Sequence, residues 1–174
     1  HAGQRLLEPE RHGMRLVTRR PRGLTLVEMM VALAIGALLM LTASPYFGDY
    51  GVNSRLRESG HTLYSEALIA QSEAIKRNRV VRLAASSGTV QVIDLTDPAR
   101  PVVLRTRALA EGVRAAAATV VDFGSQGWPA DLTGVAIDLS HATATCSADH
   151  RCPGLRVEAG GAIRLCGNHL DDCG

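Results

Sequence analysis

From residue 24 to residue 41 the chain reads LTLVEMMVALAIGALLML, an apolar run broken by one ionisable side chain, Glu28. Continued as a helix to Phe47, such a segment rises roughly 36 Å, enough for a hydrocarbon core of about 30 Å. The helical pattern persists beyond it. Val52, Leu56, Leu63, Ala67, Ala70 and Ala74 recur at spacings of three, four and seven, one face of an amphipathic helix. Arg55, Glu58, Glu66 and Glu73 are expected on the opposite, solvent face. Lys76, Arg77 and Arg79 around Asn78 suit a helix C-terminus, where cations meet the negative end of the dipole. One long helix, kinked near Pro45, is the economical reading.

After Asn78 the period becomes two. Val81 and Leu83, then Ser86-Ser87-Gly88, then Val90 and Val92 predict a β-hairpin. Further strands are expected at 102–107, 113–123, 135–139, 155–158 and 162–165, separated by turn signals such as Asp97-Pro98 and Cys152-Pro153-Gly154. A helix followed by strands predicts an α+β arrangement, with the helix stripe laid on an antiparallel sheet.

Charge changes the picture only when divided along the chain. The net charge of the 174 residues is +2. Residues 1–23 carry six arginines against Glu8 and Glu10, a local +4, which leaves −2 for the rest. The folded part is therefore close to neutral, and the basic pI is no sign of an anionic partner. Arginines at 15, 19, 20 and 22 place the N-terminus of the apolar helix in the cytoplasm. A carboxylate inside that helix is costly and marks function. A secretory signal peptide is the weaker alternative, since its apolar region would be unusually long and would contain Glu28.

Arg22-Gly23-Leu24-Thr25-Leu26-Val27-Glu28 resembles the class III signal of type IV pilins and type II secretion pseudopilins. The resemblance implies cleavage after Gly23 by a prepilin peptidase, N-methylation of Leu24 and a role for Glu28, the fifth mature residue, in assembly. Pro45 then falls twenty-second, where pilin helices commonly carry proline. Phe is usual where Leu24 stands. Met14 opens a ten-residue leader of normal length for the family, which places 1–13 upstream of the natural start. The expected organisation is a leader at 1–23, a membrane and filament-core half of the helix at 24–47, a periplasmic half at 48–78 and a β-rich periplasmic domain at 79–174. Physically, cleavage leaves an ammonium at the membrane edge, and Glu28 of a neighbouring subunit offers it a partner in low dielectric.

Asp122-Phe123-Gly124-Ser125-Gln126-Gly127 and Gly160-Gly161-Ala162-Ile163-Arg164-Leu165-Cys166 are similar to a turn and a closing strand of the GspH/FimT branch of minor pseudopilins and minor pilins. That branch implies a pilin-like fold and a structural subunit of a tip or priming complex, serving protein secretion or pilus biogenesis from the inner membrane. The implied partners are other pilins or pseudopilins, the assembly platform, the prepilin peptidase and, before assembly, membrane lipid. The alternative role this branch implies is DNA uptake in natural transformation, whose FimT members bind DNA through a Gly-Arg-x-Arg motif. Here the run is Gly161-Ala162-Ile163-Arg164, so the first Arg is missing; Arg164 and Arg156 are the candidate phosphate contacts, and DNA is not the favoured partner.

Cys146, Cys152, Cys166 and Cys173 lie on the side assigned to the oxidising periplasm and predict two disulfides. Three connectivities exist; joining Cys146 to Cys152 and Cys166 to Cys173 is preferred because each closes a short turn. Cys166-x2-His169 is a fragment of zinc-ligand spacing without a compact Cys pair, so neither a metal nor another cofactor is expected. Local signatures of catalysis are missing from the sequence. A membrane-anchored periplasmic hydrolase, the alternative of a different class, requires a cleft uniting His141 with Asp138 or Asp149 and a nucleophile.

Overall fold

The computed structural model describes Gly23, residues 25–171 and Cys173, without the side chains of 43–47. Residues 1–22 of the expected leader and Leu24 fall outside these described residues, and Pro45 is described only as backbone within the helix. The chain divides into two compact units, His1–Thr42 and Ala43–Gly174.

Helix α1 spans Leu26–Arg77. Thr25 caps its start, its hydroxyl accepting a hydrogen bond from the Glu28 amide at 3.2 Å, with Glu28 in the first turn where a negative charge complements the dipole. In the first unit α1 is apolar on every side and open to its surroundings: Leu26, Met30, Leu33, Leu38 and Leu41 are each more than 60% exposed. At the far end Asn78 takes φ 53°, with its amide bonded to the Ile75 carbonyl and the Arg79 amide to the Ala74 carbonyl. This is the Schellman termination, built on an asparagine at the helix end that the cations marked.

In the second unit α1 buries Leu56, Leu63, Ala67, Ala70 and Ala74 completely, the predicted stripe. Gly60 lies on that stripe, so close to Pro153 that a Cβ there would sit 2.9 Å from the proline ring carbons. The hairpin is β1 (Val81–Ser86) and β2 (Thr89–Asp94), closed by Ser87-Gly88 with Ser86 opposite Thr89. It continues to β3 (Val102–Ala108), then β4 (Val113–Ala115), β5 (Thr119–Phe123), β6 (Val135–His141), β7 (Gly154–Val157) and β8 (Ile163–Cys166). These strands form two antiparallel four-stranded sheets, ordered β3-β2-β1-β5 and β4-β6-β7-β8. Alternating Val81, Leu83 and Ala85, with Val90, Val92, Val121 and Phe123, point inward from the first sheet; Ile137, Leu139, Leu155 and Val157 do so from the second.

Two expectations are corrected. The run 113–123 is not one strand: it breaks at 116–118, β4 pairing with β6 and β5 with β1. Ala116, Ala117 and Ala118 are exposed and bring no side chain to pack on a pleated surface, so the chain crosses between sheets there. Glu66 is not on the solvent face, being only 2% exposed. It stands three residues after Leu63 and four before Ala70, which places it on the flank of the buried stripe.

Candidate functional site

The residues singled out by the sequence fall into two groups. Gly23 and Glu28 precede and open the apolar half of α1, and both are exposed. A Cβ at Gly23 would meet nothing within 4 Å, so packing does not demand a glycine there. Around them the bare apolar surface of 26–42 is the largest unsatisfied feature of the described residues, since a helix apolar all round is stable only when lipid or other helices cover it. Among the described residues no helix is long and apolar enough to cross a membrane. The described apolar residues 26–42 stop short of the about 20 that a span requires.

In the second unit, the two segments that resemble the GspH/FimT branch are brought together by a residue the sequence reading passed over. Gln71 of α1 donates from Nε2 to the carbonyls of Gly127 and Gly161, each at 2.7 Å. Trp128 lies beside Gly161 and is 47% exposed. On the same flank of α1 as Glu66, the buried Ser59 hydroxyl accepts from the Ala110 amide at 3.0 Å.

The candidate DNA contacts are already paired. Arg164 reaches Glu158 at 2.7 Å, and Arg156 reaches Asp138 at 2.6 Å. Several other arginines are paired as well, although Arg114 of β4 has no ion pair among the described residues. Arg82 forms a two-pronged bond with Asp122 across β1 and β5, at 2.6 and 2.7 Å, and this bonding holds the guanidinium above its ordinary pKa. Arg105 grips both oxygens of Glu66 at 3.1 Å, and Arg107 approaches it at 3.5 Å. Arg77 bonds to Glu73 and Asp94, and the Arg77 hydrogen bond lowers the Glu73 pKa. A phosphate backbone would have to displace these carboxylates.

Disulfides join Cys146 to Cys152 and Cys166 to Cys173, with Cα separations of 5.5 and 5.4 Å. Cys166 is therefore no thiolate ligand, and His169 Nδ1 lies 3.1 Å from the Cys152 carbonyl. The residues of the hydrolase alternative are not assembled. His141 is buried on the inner face of β6, its Nδ1 within 3.3 Å of the Thr143 and Ala144 amides, whereas Asp138 faces Arg156. No hydrogen bond links His141 to Asp138 or Asp149 among the described residues.

Comparison with protein families gives two matches. A prokaryotic N-terminal methylation motif covers residues 18–44, and the type II transport protein GspH covers 60–161. The chain belongs to the GspH family. Its methylation motif is that of a membrane-anchored pilin-type subunit, and the family is one of structural minor pseudopilins and minor pilins rather than enzymes. Among solved structures, this GspH-family chain is similar to the type IV minor pilin FimU of Pseudomonas aeruginosa, with 16% identity and a TM-score of 0.53 over 64% of this chain and 88% of that one. It is also similar to the minor pseudopilin EPSH from the type II secretion system of Vibrio cholerae, with 14% identity and a TM-score of 0.54 over 70% and 99%. At such identities the likeness carries the pilin-like fold. Comparison with curated proteins gives no significant match.

Proposed function

We propose that this GspH-family chain is a processed minor subunit of a type II secretion pseudopilus or a type IV pilus, working in its tip or priming complex. The carrying observation is the union in one chain of a methylation motif, a capped helix with apolar side chains open on all sides, and a GspH domain. Prepilin peptidase cuts after Gly23, and Leu24 is N-methylated. The helix holds the chain in the inner membrane with the N-terminus cytoplasmic and the disulfide-bonded domain periplasmic, until it joins other pilin-type subunits on the assembly platform. Glu28 then pairs with the ammonium of a neighbour, which sets the axial register. Thr25 contributes by starting the helix one residue after the new N-terminus, so that Glu28 stands one turn in.

The test is intact-mass analysis of the full chain expressed with a prepilin peptidase. The mature product begins with N-methyl-Leu24, and Gly23→Val blocks the cut. Glu28→Leu makes the helix more apolar, so insertion survives while crosslinking to other pilin-type subunits falls. A mature N-terminus beyond Pro45, or unchanged crosslinking in Glu28→Leu, refutes the assignment. The carboxylates on Arg164 and Arg156 speak against DNA uptake as the role.

A further inference from the structure

Outside the ion pairs of the sheets lies a concavity on α1 lined by an arginine, Arg57, that has no ion pair among the described residues. A cavity of about 510 Å³ lies between α1 and the C-terminal segment, lined by Ser54, Arg57 and His61 on the helix side and by Arg151, Pro153 and Leu165 opposite. Arg57 and His61 are exposed, and neither has a hydrogen bond or ion pair among the described residues. Asp49 faces His150 at 3.2 Å, and Asp171 accepts from Asn168 at 2.9 Å. The wall opposite the helix is held in place. Asn53 donates to the Asp149 carbonyl at 2.7 Å and accepts from the Arg151 amide at 3.0 Å, Cys152 is disulfide-bonded, and Gly60 meets Pro153. The result is a preformed groove with Arg57 and His61 over an apolar floor of Pro153 and Leu165.

We propose that this groove binds an acidic segment of a neighbouring pilin-type subunit, with carboxylates at Arg57 and His61 and an aliphatic side chain on Pro153 and Leu165. The choice of occupant rests on the subunit assignment above. Its volume is in the range of pockets that enclose a ligand of several side chains. The groove is built on the stretch of α1 that follows the exposed apolar residues in sequence, so helices associating side by side bring a neighbour's chain to it. Complementary charge there selects one partner among subunits whose apolar helices are alike.

The test uses the full chain in nonionic micelles and a fluorescein-labelled octapeptide of alternating glutamate and leucine, with empty micelles as blank. The acidic peptide binds, and Arg57→Glu weakens it at least tenfold, while Arg55→Glu, the same charge change two residues away, weakens it less than twofold. The lysine-leucine counterpart does not bind. Absence of binding, or equal losses in both variants, overturns the proposal. Preferential competition by inorganic phosphate or by duplex DNA overturns it in favour of a phosphate ligand. In membranes, a photo-crosslinker at position 54 joins an Asp- or Glu-containing peptide of another pilin-type subunit; a lipid adduct or no adduct overturns the choice of occupant. The mature mass of the same preparation reads the Gly23 cut separately, so failure of the subunit assignment is distinguishable from failure of the groove.

Discussion

Glu66 is the residue at which the charge arrangement of the domain can be tested most sharply. Its side chain is 3% exposed, whereas those of Arg105 and Arg107 are 39% and 59% exposed. The two sides of the interaction are therefore unequal. Replacing Glu66 by Gln returns two half-exposed guanidinium groups to water and costs about 1 kcal/mol. Replacing both arginines by Met leaves a carboxylate buried against α1 and β3 with its main cations gone. Stranding a buried charge costs about 3–5 kcal/mol, and water entering from the open side of β3 brings this toward the low end, about 3 kcal/mol. Adding Glu66→Gln to the double variant should then recover about 2 kcal/mol, a sign reversal that simple loss of contacts does not produce. Chemical unfolding of the full chain in micelles, followed by far-UV circular dichroism at unchanged m-value, measures each term. If Glu66→Gln costs as much as the double replacement, or worsens it, the reasoning is refuted.

At Gly60, alanine gains about 1 kcal/mol of helix propensity but sets a methyl 2.9 Å from the Pro153 ring, beside a disulfide-bonded cysteine that limits its retreat. With overpacking at about 1–3 kcal/mol, Gly60→Ala should lower the thermal midpoint, and a raised midpoint contradicts the packing argument. The Asp94 pKa is lowered, chiefly by the Thr96 hydroxyl and then its amide, and that of Glu73 by Arg77. Both groups contribute stability that is present above the ordinary carboxylate pKa of about 4 and lost as pH falls through their lower folded values. Asp94→Asn should therefore flatten the acid limb of stability measured between neutral pH and pH ~2; an unchanged slope refutes the assignment.

The elements that were legible in the sequence are those whose pattern follows from a single local cause. The stripe from Leu56 to Ala74, the Asn78 cap and the Ser87-Gly88 hairpin each need only a period or one special residue. At Glu66 side-chain type and angular position conflict: a carboxylate reads as solvent-facing, although its spacing from Leu63 and Ala70 sets it on the buried flank. Its compensation lies 39 residues away on β3, beyond any local window. The same holds for Gln71, whose two acceptors are 56 and 90 residues distant. Thr25 was different. Thr25-x-x-Glu28 ahead of an apolar run is a readable helix-start signal, because cap and acidic residue stand within one turn. The separation of β4 from β5 turns on three alanines that a strand pattern admits but a sheet does not use.

The distribution of arginines also separates two meanings of a basic pI. In the sheets both candidate DNA contacts face carboxylates, Arg156 with Asp138 and Arg164 with Glu158, as do Arg82 with Asp122 and Arg105 and Arg107 with Glu66. Such pairs are worth little individually at a surface, yet each sets a carboxylate beside the guanidinium and so opposes its use in counterion release on a polyanion. Arg57 differs in having a preformed wall opposite it and no carboxylate partner among the described residues. Recognition by such a domain is therefore a matter of position rather than of net charge: a partner that presents a carboxylate at the groove meets an arginine without an ion pair, and one on the paired strands must displace a carboxylate first.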